Sequence, residues 1–448
     1  SEAWLLANLV LSGILVLLGA FTLLLLFFPE ALVYLLAAGF REVPGKVEIA
    51  ASLLRLLAPF LMLIAMASVA MGMLNALNQF FIPALAPALF NVAVIIAGLV
   101  LVPQFEHWNI LPIHAMAVGA LLGGFLQFAV QIPLLRKEGF RFRFRIDFKH
   151  KGVLRIIRLL APAIVGVGAV QFNVLVNTQI ASFLQENGPV SWLSYAFRIV
   201  YLPIGLFGVA VGIVNLRDVS IFAAQKNWNE LKETVANSIK LIMVMAVPST
   251  IGLIVLAVPV VHVLFERGGF MARDTHHTAY ALVCYSLGLV AYSGMKVYVP
   301  TFYALNDTRT PVRISVCAVA SNLVINLVLV GFILPEDIRY VGLALGTALS
   351  IILSNVLIAR SFKKRLGSLE SYSVLPTFLK TLLASSIMGV VVFFSSRLFN
   401  WGGKEMSLFE EVTALAFCIG VGVAVYLLLC QFLKVVEIRQ LFHRMSRS

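Results

Sequence analysis

The sequence predicts an all-α, multi-pass membrane protein with two pseudo-symmetric helical lobes around a central cavity, followed by two C-terminal helices. Three observations predict this fold: an apolar composition, a series of long apolar runs and an internal repeat. Of the 448 residues, 60% are hydrophobic and only 12% are charged, and the mean hydropathy is +0.97. Soluble domains carry about 25% charged residues. Too few charges are therefore present to solvate the surface of a soluble protein of this length.

Twelve apolar runs are long enough to cross a bilayer, which takes about 20 residues. Backbone groups find no hydrogen-bond partner in lipid, so each run is predicted to be a helix. The runs are too long and too uniformly apolar for the alternating strands of a membrane barrel. They cover residues 3–28, 48–76, 80–102, 113–134, 156–184, 191–223, 236–265, 275–304, 311–334, 340–360, 375–397 and 409–432.

The chain also contains an internal repeat with offsets of 227 to 230 residues. The first matched pair reads PEALVYLLAAGF and PVVHVLFERGGF. The matched segments are 29–40 with 259–270, 76–78 with 304–306, and 117–120 with 344–347. Segments that recur in one order at a nearly constant offset indicate two copies of one structural unit. In a membrane protein this arrangement is typical of a transporter whose site lies between the two halves.

The repeat predicts the domain organisation. The second copy begins with two spans, 156–184 and 191–223, that have no counterpart in the first. We therefore expect two further helices before Ser1, and fourteen helices in the full protein. The predicted parts are a four-helix remainder of the first lobe at 1–137, a basic linker at 138–155, a six-helix second lobe at 156–364, and two extra helices with a basic tail at 365–448.

The net charge of +13 is distributed unevenly between the two sides of the predicted membrane. If Ser1 is placed on the cytoplasmic side, the inner loops and the tail hold 21 Lys and Arg, and the outer loops hold 7. This bias follows the positive-inside rule and places both termini in the cytoplasm. The basic residues are expected to contact anionic lipid headgroups rather than nucleic acid.

The largest basic segment, 136–158, alternates Arg with Phe before it turns helical. It lies where one repeat ends and the next begins, and it is predicted to be a cytoplasmic linker between the lobes. Its amphipathic end is expected to lie on the membrane surface. A site for an acidic partner or for nucleic acid is the alternative interpretation.

Several motifs of the chain resemble the MurJ (MviN) family. Residues 264–275 contain LFERGGF followed by DT, similar to the LFERGAF…DT signature of that family. Residues 296–312 follow its KV..P.FYA..DTRTPV block, and residues 195–210 resemble its YADR…LP.G.FGVA helix. Residues 83–87, PALAP, also match. Each motif is short, but their order and spacing make the resemblance specific.

This resemblance implies a flippase that moves lipid II, the undecaprenyl-linked peptidoglycan precursor, from the inner to the outer leaflet of a bacterial cytoplasmic membrane by alternating access. The protein is expected to lie in the phospholipid bilayer. Whether it also binds the cell-wall synthesis machinery is left open. Alternatives are a multidrug or cation antiporter, or another lipid-linked oligosaccharide flippase, of the same multidrug/oligosaccharidyl-lipid/polysaccharide exporter superfamily. A non-transporting scaffold and a membrane-embedded transferase are less favoured.

Arg198 is the foremost candidate for contact with the substrate, because charged groups inside spans usually face a cavity. A guanidinium binds phosphate groups bidentately, and the resembling family has a cavity arginine at this place. Ser191 and Ser194 precede it on the same helix face, and the resemblance marks Ser191 as cavity-lining. Phe197 stands where the family has an acidic residue. The alternatives are snorkelling of Arg198 toward headgroups and ordinary polar roles for both serines.

Lys296 lies deep in the span 275–304 and is a second candidate for binding the substrate. A structural pairing is the alternative. No catalytic group is predicted, because the sequence lacks a nucleophile elbow, a P-loop and paired carboxylates within its spans.

Asn177, Asn322, Asn326 and Thr347 are polar residues within predicted spans of the second lobe. Asn322 and Asn326 share a helix face. Some members of the resembling family bind sodium at matching places through carboxylates. Because this chain has amides there, hydrogen bonds between helices are the favoured role, and a weak cation site is the alternative. No cofactor is predicted, and coupling to sodium or protons is left open.

Gly205, Gly208 and Gly212 form a stripe that predicts close helix packing, and with Pro203 it could let the helix bend. The two final helices, 375–397 and 409–432, fall outside the repeat. In the resembling family they border a groove for the lipid tail. From the residues alone they are equally consistent with a stabilising role.

Overall fold

The computed structural model describes residues 2–184, 188–399, 401, 406–435 and 437, and these residues form helices joined by short connections. The helices are α1 (Glu2–Phe27), α2 (Pro29–Leu36), α3 (Lys46–Ala76), α4 (Phe81–His107), α5 (Ile113–Ala129), α6 (Ile132–Lys137), α7 (Lys151–Ser182), α8 (Pro189–Pro203), α9 (Ala210–Ala224), α10 (Trp228–Val255), α11 (Ala257–Phe265), α12 (Ala272–Ser286), α13 (Leu289–Ala304), α14 (Arg309–Val328), α15 (Arg339–Leu366), α16 (Val374–Ser396) and α17 (Leu408–Phe432). Two π-helical turns, Ile204–Val209 and Leu329–Ile333, continue α8 and α14.

The number of spans differs from the twelve predicted. Ten helices among the described residues are long and apolar enough to cross a membrane, and α12 with α13 forms an eleventh candidate that is bent by 43°. The predicted span 156–184 lies in α7, which is not among these ten and whose side chains are only partly described. The predicted span 236–265 overlaps the candidate span Trp228–Val255, but it extends too far, because the helix is broken at Leu256 and α11 begins at Ala257.

The repeat is visible in the local backbone. Both α3 and α13 end two residues before an asparagine in the left-handed conformation, Asn78 at φ 59° and Asn306 at φ 56°. The residue after each asparagine donates its backbone N–H, at 2.9 Å, to the carbonyl of the residue five positions earlier. Asparagine tolerates this conformation and closes a helix by satisfying its last carbonyls. The two copies of Ala-Leu-Asn therefore build the same helix end.

The matched glycines of the repeat also have one function. A Cβ atom at Gly119 would lie 2.5 Å from Ala97, so α5 packs on α4 without room for a side chain. Gly346 on α15 meets Asn326 on α14 in the same way. Small residues allow the backbones of membrane helices to approach closely.

The chain divides into two compact units, Ser1–Val165 and Gly166–Ser448. In the first unit, the helices α1, α3, α4 and α5 pack on one another, and the Thr22 hydroxyl on α1 donates to the Ala58 carbonyl of α3 at 3.1 Å. In the second unit, a continuous core joins α8 to α15, and α16 and α17 pack against α10. The predicted linker lies in the first unit, and the predicted extra helices lie in the second.

Candidate functional site

Ser191, Ser194 and Arg198 lie in one row along α8. All three side chains are exposed, whereas Trp192 on another face of the helix is only 2% exposed. The Arg198 guanidinium carbon lies 5.9 Å from the centre of the Tyr195 ring. In the described part of the chain no salt bridge involves Arg198. The row therefore presents a permanent positive charge and two hydroxyl groups on one open helix face.

A buried aromatic cluster holds α8 in place from behind this row. The Trp192 ring stacks on the His277 ring at 4.2 Å, and its Nε1 donates to the Asp274 carboxylate at 2.8 Å. The Tyr340 hydroxyl donates to the His277 carbonyl at 3.1 Å. These contacts tie α8 to α12 and α15. Because these contacts fix the buried face of α8, they also fix the direction in which its exposed face points.

The glycine stripe packs on α13, as predicted, at two of its three positions. A Cβ atom at Gly208 would lie 3.3 Å from Ser293, and one at Gly212 would lie 2.6 Å from the Lys296 carbonyl oxygen. No atom would lie within 4 Å of a Cβ at Gly205, so this glycine does not serve packing. Gly205 lies in the π-helical turn after Pro203, and Gly208 lies in the same turn. Such turns often occur at functional sites.

Lys296 lies in a different place from the row on α8. It is half-buried and lines an open cavity of about 430 Å³ bordered by α7, α13, α14 and α15. The polar residues that line this cavity are Asn173, Tyr292, Lys296, Ser315, Asn322, Thr347, Ser350 and Ser354. None of the three residues of the row borders it. The candidate residues thus form two sites rather than one.

The four polar residues of the predicted cation site meet in one hydrogen-bond network. Asn326 Nδ2 donates to Asn177 Oδ1 at 2.7 Å and to Asn322 Oδ1 at 2.9 Å. Thr347 Oγ1 accepts from Asn177 at 3.3 Å and from Asn322 at 3.4 Å. A fifth member, Asn173, donates to Asn322 Oδ1 at 2.8 Å. These bonds join α7, α14 and α15.

The network is better suited to joining helices than to holding a cation. Every side-chain oxygen in it except Oδ1 of Asn326 already accepts a hydrogen bond. Lys296 lines the same cavity as Asn322 and Thr347, and its ammonium disfavours a second positive charge there. The weak cation site stays a prediction, and the geometry supports the role that the sequence analysis favoured, which is linking helices.

Asn173 is the site residue that the sequence analysis missed. A signal for it was present, because Asn173 and Asn177 repeat on α7 the four-residue spacing of Asn322 and Asn326 on α14. The bonds pair the first members of the two doublets and then the second members. Two amide doublets in separate spans are therefore a pattern that predicts such a ladder.

An apolar groove borders α16 and α17. Its volume is about 570 Å³. The residues that line it come from α8 and the following π-helical turn (Leu202, Pro203, Leu206, Phe207), from α10 to α11 (Val244, Met245, Pro248, Ser249, Gly252, Leu253, Leu256, Val260), from α16 (Met388, Val392) and from α17 (Cys418, Ile419, Gly422, Val423, Tyr426, Leu427). The two helices outside the repeat thus form part of the wall of the groove, and this wall is almost wholly hydrocarbon.

Among the described residues no group of three or more His, Cys, Asp or Glu could hold a metal ion. The candidate residues of the second unit thus belong to an exposed cationic row and to a polar cavity with one lysine, and an apolar groove lies beside α16 and α17.

The family profile described as "Lipid II flippase MurJ" matches residues 1–413. Two relatives named "Probable lipid II flippase MurJ" are each 34% identical to the chain. The relative from Haemophilus influenzae aligns over 85% of this chain and 74% of its own length, and the relative from Vibrio cholerae serotype O1 over 87% and 72%. The "Lipid II flippase MurJ" of Burkholderia cenocepacia is 29% identical over 88% of this chain and 75% of its own length.

Two solved structures share the fold. The structure titled "Lipid II flippase MurJ, inward closed conformation" superposes with a TM-score of 0.77 at 26% identity, over 96% of this chain and 84% of its own. An inward-facing multidrug resistance MATE family transporter of the MOP superfamily superposes with a TM-score of 0.68, over 82% of each chain. At 16% identity, the second likeness shows the fold alone. The predicted all-α, multi-pass fold is confirmed.

Proposed function

The chain belongs to the MurJ family of lipid II flippases, and we infer from this membership that it translocates lipid II across the membrane. It is thus a multi-pass membrane transporter, and its substrate is a lipid-linked peptidoglycan precursor. We propose that movement runs from the inner to the outer leaflet of a bacterial inner membrane, with both termini in the cytoplasm. The excess of basic residues in the loops on the Ser1 side supports this orientation.

The observation that carries the headgroup site is the exposed guanidinium of Arg198 in an otherwise apolar helix, which forms no salt bridge among the described residues. An arginine in a span is costly unless it faces water or an anionic ligand. The diphosphate of lipid II is such a ligand, and guanidinium binds it bidentately. We therefore propose that Arg198 binds the diphosphate, with Ser191 and Ser194 as hydrogen-bond donors beside it.

The apolar groove supports a place for the lipid tail. Its hydrocarbon walls suit a long polyprenyl chain and offer nothing to a charged headgroup. We propose that the tail lies there, or in the adjoining lipid, while the headgroup site is exposed in turn to each side of the membrane. The π-helical turn after Pro203 and the open space at Gly205 are where α8 can bend during this change.

Lys296 belongs to the proposal as a second cation for the headgroup. It lines a polar cavity, and no salt bridge in the described residues neutralises it. The cell-wall synthesis machinery stays a proposed partner to which no residue is assigned.

Replacement of Arg198 tests the headgroup site. We expect Arg198→Ala to slow the translocation of labelled lipid II in proteoliposomes by about 10- to 100-fold, because a lost charge-assisted hydrogen bond costs about 1.5–3 kcal/mol. Arg198→Lys should keep part of the rate, because it keeps the charge and loses the bidentate geometry. The matched control is Arg217→Ala on α9. A normal rate for Arg198→Ala at a normal protein level would exclude Arg198 from the substrate site.

A further inference from the structure

Residues 141–148, which we name the arm, form an extended segment that runs beside α1. The backbone N–H of Arg143 donates to Asn8 Oδ1 at 2.6 Å, and that of Arg145 donates to Ser12 Oγ at 3.0 Å. Asn8 Nδ2 donates in turn to the Arg141 carbonyl at 3.2 Å. Two polar side chains of an otherwise apolar helix therefore hold the arm in place.

The arm lies along the first half of the hydrophobic helix α1. Phe140, just before it, packs on Trp4 with ring centres 5.4 Å apart, and Phe148 at its far end lies against Gly13. The arm thus follows α1 over nine residues, about 13 Å at 1.5 Å per residue. It runs along the hydrophobic helix rather than away from it.

The length of α1 gives a lower limit to the depth of the arm in the membrane. With 26 residues it is about 39 Å long, and the hydrocarbon core is about 30 Å thick. About six residues can therefore project from the core. If all six project at the N-terminal end, Ser12 still lies about 6 Å inside the core, and tilting the helix only increases this depth.

The free edge of the arm cannot face lipid. In an extended chain the backbone groups of successive residues point to alternate edges. Here the Arg141 carbonyl and the N–H groups of Arg143 and Arg145 face α1. Within the described residues, the backbone groups of Phe142, Phe144 and Ile146 have no hydrogen-bond partner in the chain. Irregular backbone is tolerated at membrane depth only where it is buried in protein or lines a water-filled space. Among the described residues nothing covers the arm, so this edge is open in the structure.

Three guanidinium groups accompany this edge. Arg141, Arg143 and Arg145 lie on one face of the extended segment, about 7 Å apart along it. All three are exposed, and no carboxylate among the described residues forms a salt bridge with them. Three unpaired arginines at this depth are costly unless an anion neutralises them.

We propose that the arm is a second headgroup site, which binds the diphosphate of a lipid-linked substrate in the leaflet at which α1 begins. This inference rests on the proposed function. The spacing of the arginines lets two guanidinium groups reach the two phosphates of one diphosphate. The depth of the site suits a headgroup whose tail remains in the acyl layer, and it does not suit a soluble anion.

Neutralising the arm tests this proposal in the full chain, reconstituted in lipid nanodiscs with undecaprenyl diphosphate as the probe. The variant Arg141→Gln, Arg143→Gln, Arg145→Gln should bind the probe at least about tenfold more weakly. The matched control is Lys149→Gln, Lys151→Gln, Arg155→Gln, which removes three charges from the same linker outside the arm. Binding by the control should stay within about twofold of the unsubstituted chain.

A second variant separates position from charge. Asn8→Ala with Ser12→Ala removes both anchors of the arm and leaves every arginine in place. If the arm must be held at its depth, this variant also loses affinity for undecaprenyl diphosphate. Unchanged binding in both arm variants would overturn the proposal, as would an equal loss in the lysine control. An equal loss of affinity for phosphatidylglycerol would overturn it in favour of a general anionic-lipid surface.

The proposed function is tested separately by translocation of lipid II in vesicles. An unsubstituted chain that binds undecaprenyl diphosphate through the arm but does not translocate lipid II would refute the function and support the arm. A chain that translocates lipid II equally well with and without the three arginines, and binds the probe equally well, would refute the arm alone.

Discussion

Single glycines set how closely the helices of the second unit approach one another. At Gly212 the backbone of α9 lies so near α13 that a methyl group would overlap the Lys296 carbonyl. At Gly205, seven residues earlier, the same methyl group would meet open space. The sequence shows the two residues as equivalent members of one stripe, and only the positions of the neighbouring helices separate them.

This difference predicts opposite outcomes for one chemical change. Gly212→Ala should lower the free energy of unfolding by about 1–3 kcal/mol, because the added methyl group overpacks the contact with α13. Gly205→Ala should leave stability unchanged or raise it slightly. Thermal unfolding in detergent measures both, and an equal loss of stability in the two variants would contradict the proposed packing.

At the scale of elements, one histidine of α11 connects this helix to α17. His262 is 7% exposed and lies between two carboxylates, with Nδ1 2.8 Å from Glu266 and Nε2 3.0 Å from Glu411. Burial by itself would lower the pKa of His262, but the hydrogen bonds to both glutamates outweigh it and raise the pKa above its ordinary value of 6.5. Glu411 links α17 to α11, whereas Glu266 lies at the end of α11 itself. Because the two carboxylates contact different ring nitrogens, they do not converge on a metal.

The raised pKa predicts a pH dependence of stability. A group with a raised folded pKa stabilises fully below its unfolded value, and this stabilisation is lost as the pH rises through the folded value. The unfolding temperature should therefore fall as the pH is raised from 6.5, and His262→Asn should flatten this dependence. The control is His107→Asn, at an exposed position. A slope unchanged by His262→Asn would show that the contact with α17 does not depend on this proton.

The groove between α10, α16 and α17 offers a test of the proposed tail site. Gly252 lines the groove and has open space around its Cβ position, so Gly252→Leu should fill the groove without displacing a helix. We expect this variant to slow translocation of lipid II with its natural tail more than that of a short-tailed analogue. Gly420→Leu on α17 is the control, since Gly420 also has open space but does not line the groove. Equal effects on both substrates would contradict a role for the groove in holding the tail.

At the scale of the whole molecule, the charge bias predicts how the chain sits in the membrane. The basic residues gather in the loops predicted to lie on the Ser1 side, and finding this bias requires no tertiary structure. The repeat works at the same scale, because two copies of one helix end and one glycine contact recur about 228 residues apart. Each copy of the repeat and each basic loop is a short stretch of sequence, which is why both features could be predicted.

The charge bias predicts which loops face the cytoplasm. In a chain whose exposed Cys317 is replaced by serine, Glu42→Cys should react with a membrane-impermeant thiol reagent in intact cells. Lys149→Cys should react only after the membrane is permeabilised. The reverse pattern would overturn the orientation, although it would leave the fold unaffected.

Much of the fold could be predicted from the sequence, but less of the candidate site. Apolar runs located the spans, yet the break at Leu256 and the 43° bend between α12 and α13 lie within runs of uniform hydrophobicity. Hydrophobicity reports burial in lipid and is blind to the direction of a helix axis. The sequence identified the candidate residues one by one, because charges and amides are rare in the spans. It did not predict which of them lie together.

The sequence by itself determined the class of protein, its repeat and its charge asymmetry, since each depends on residues counted along the chain. The tertiary structure alone decided which helices the amide doublets join, that Lys296 borders that network rather than the row of Arg198, and that an extended arm lies along α1. Each of these joins residues far apart in sequence. Such contacts depend on how helices pack, and no local pattern of side chains encodes the packing partner.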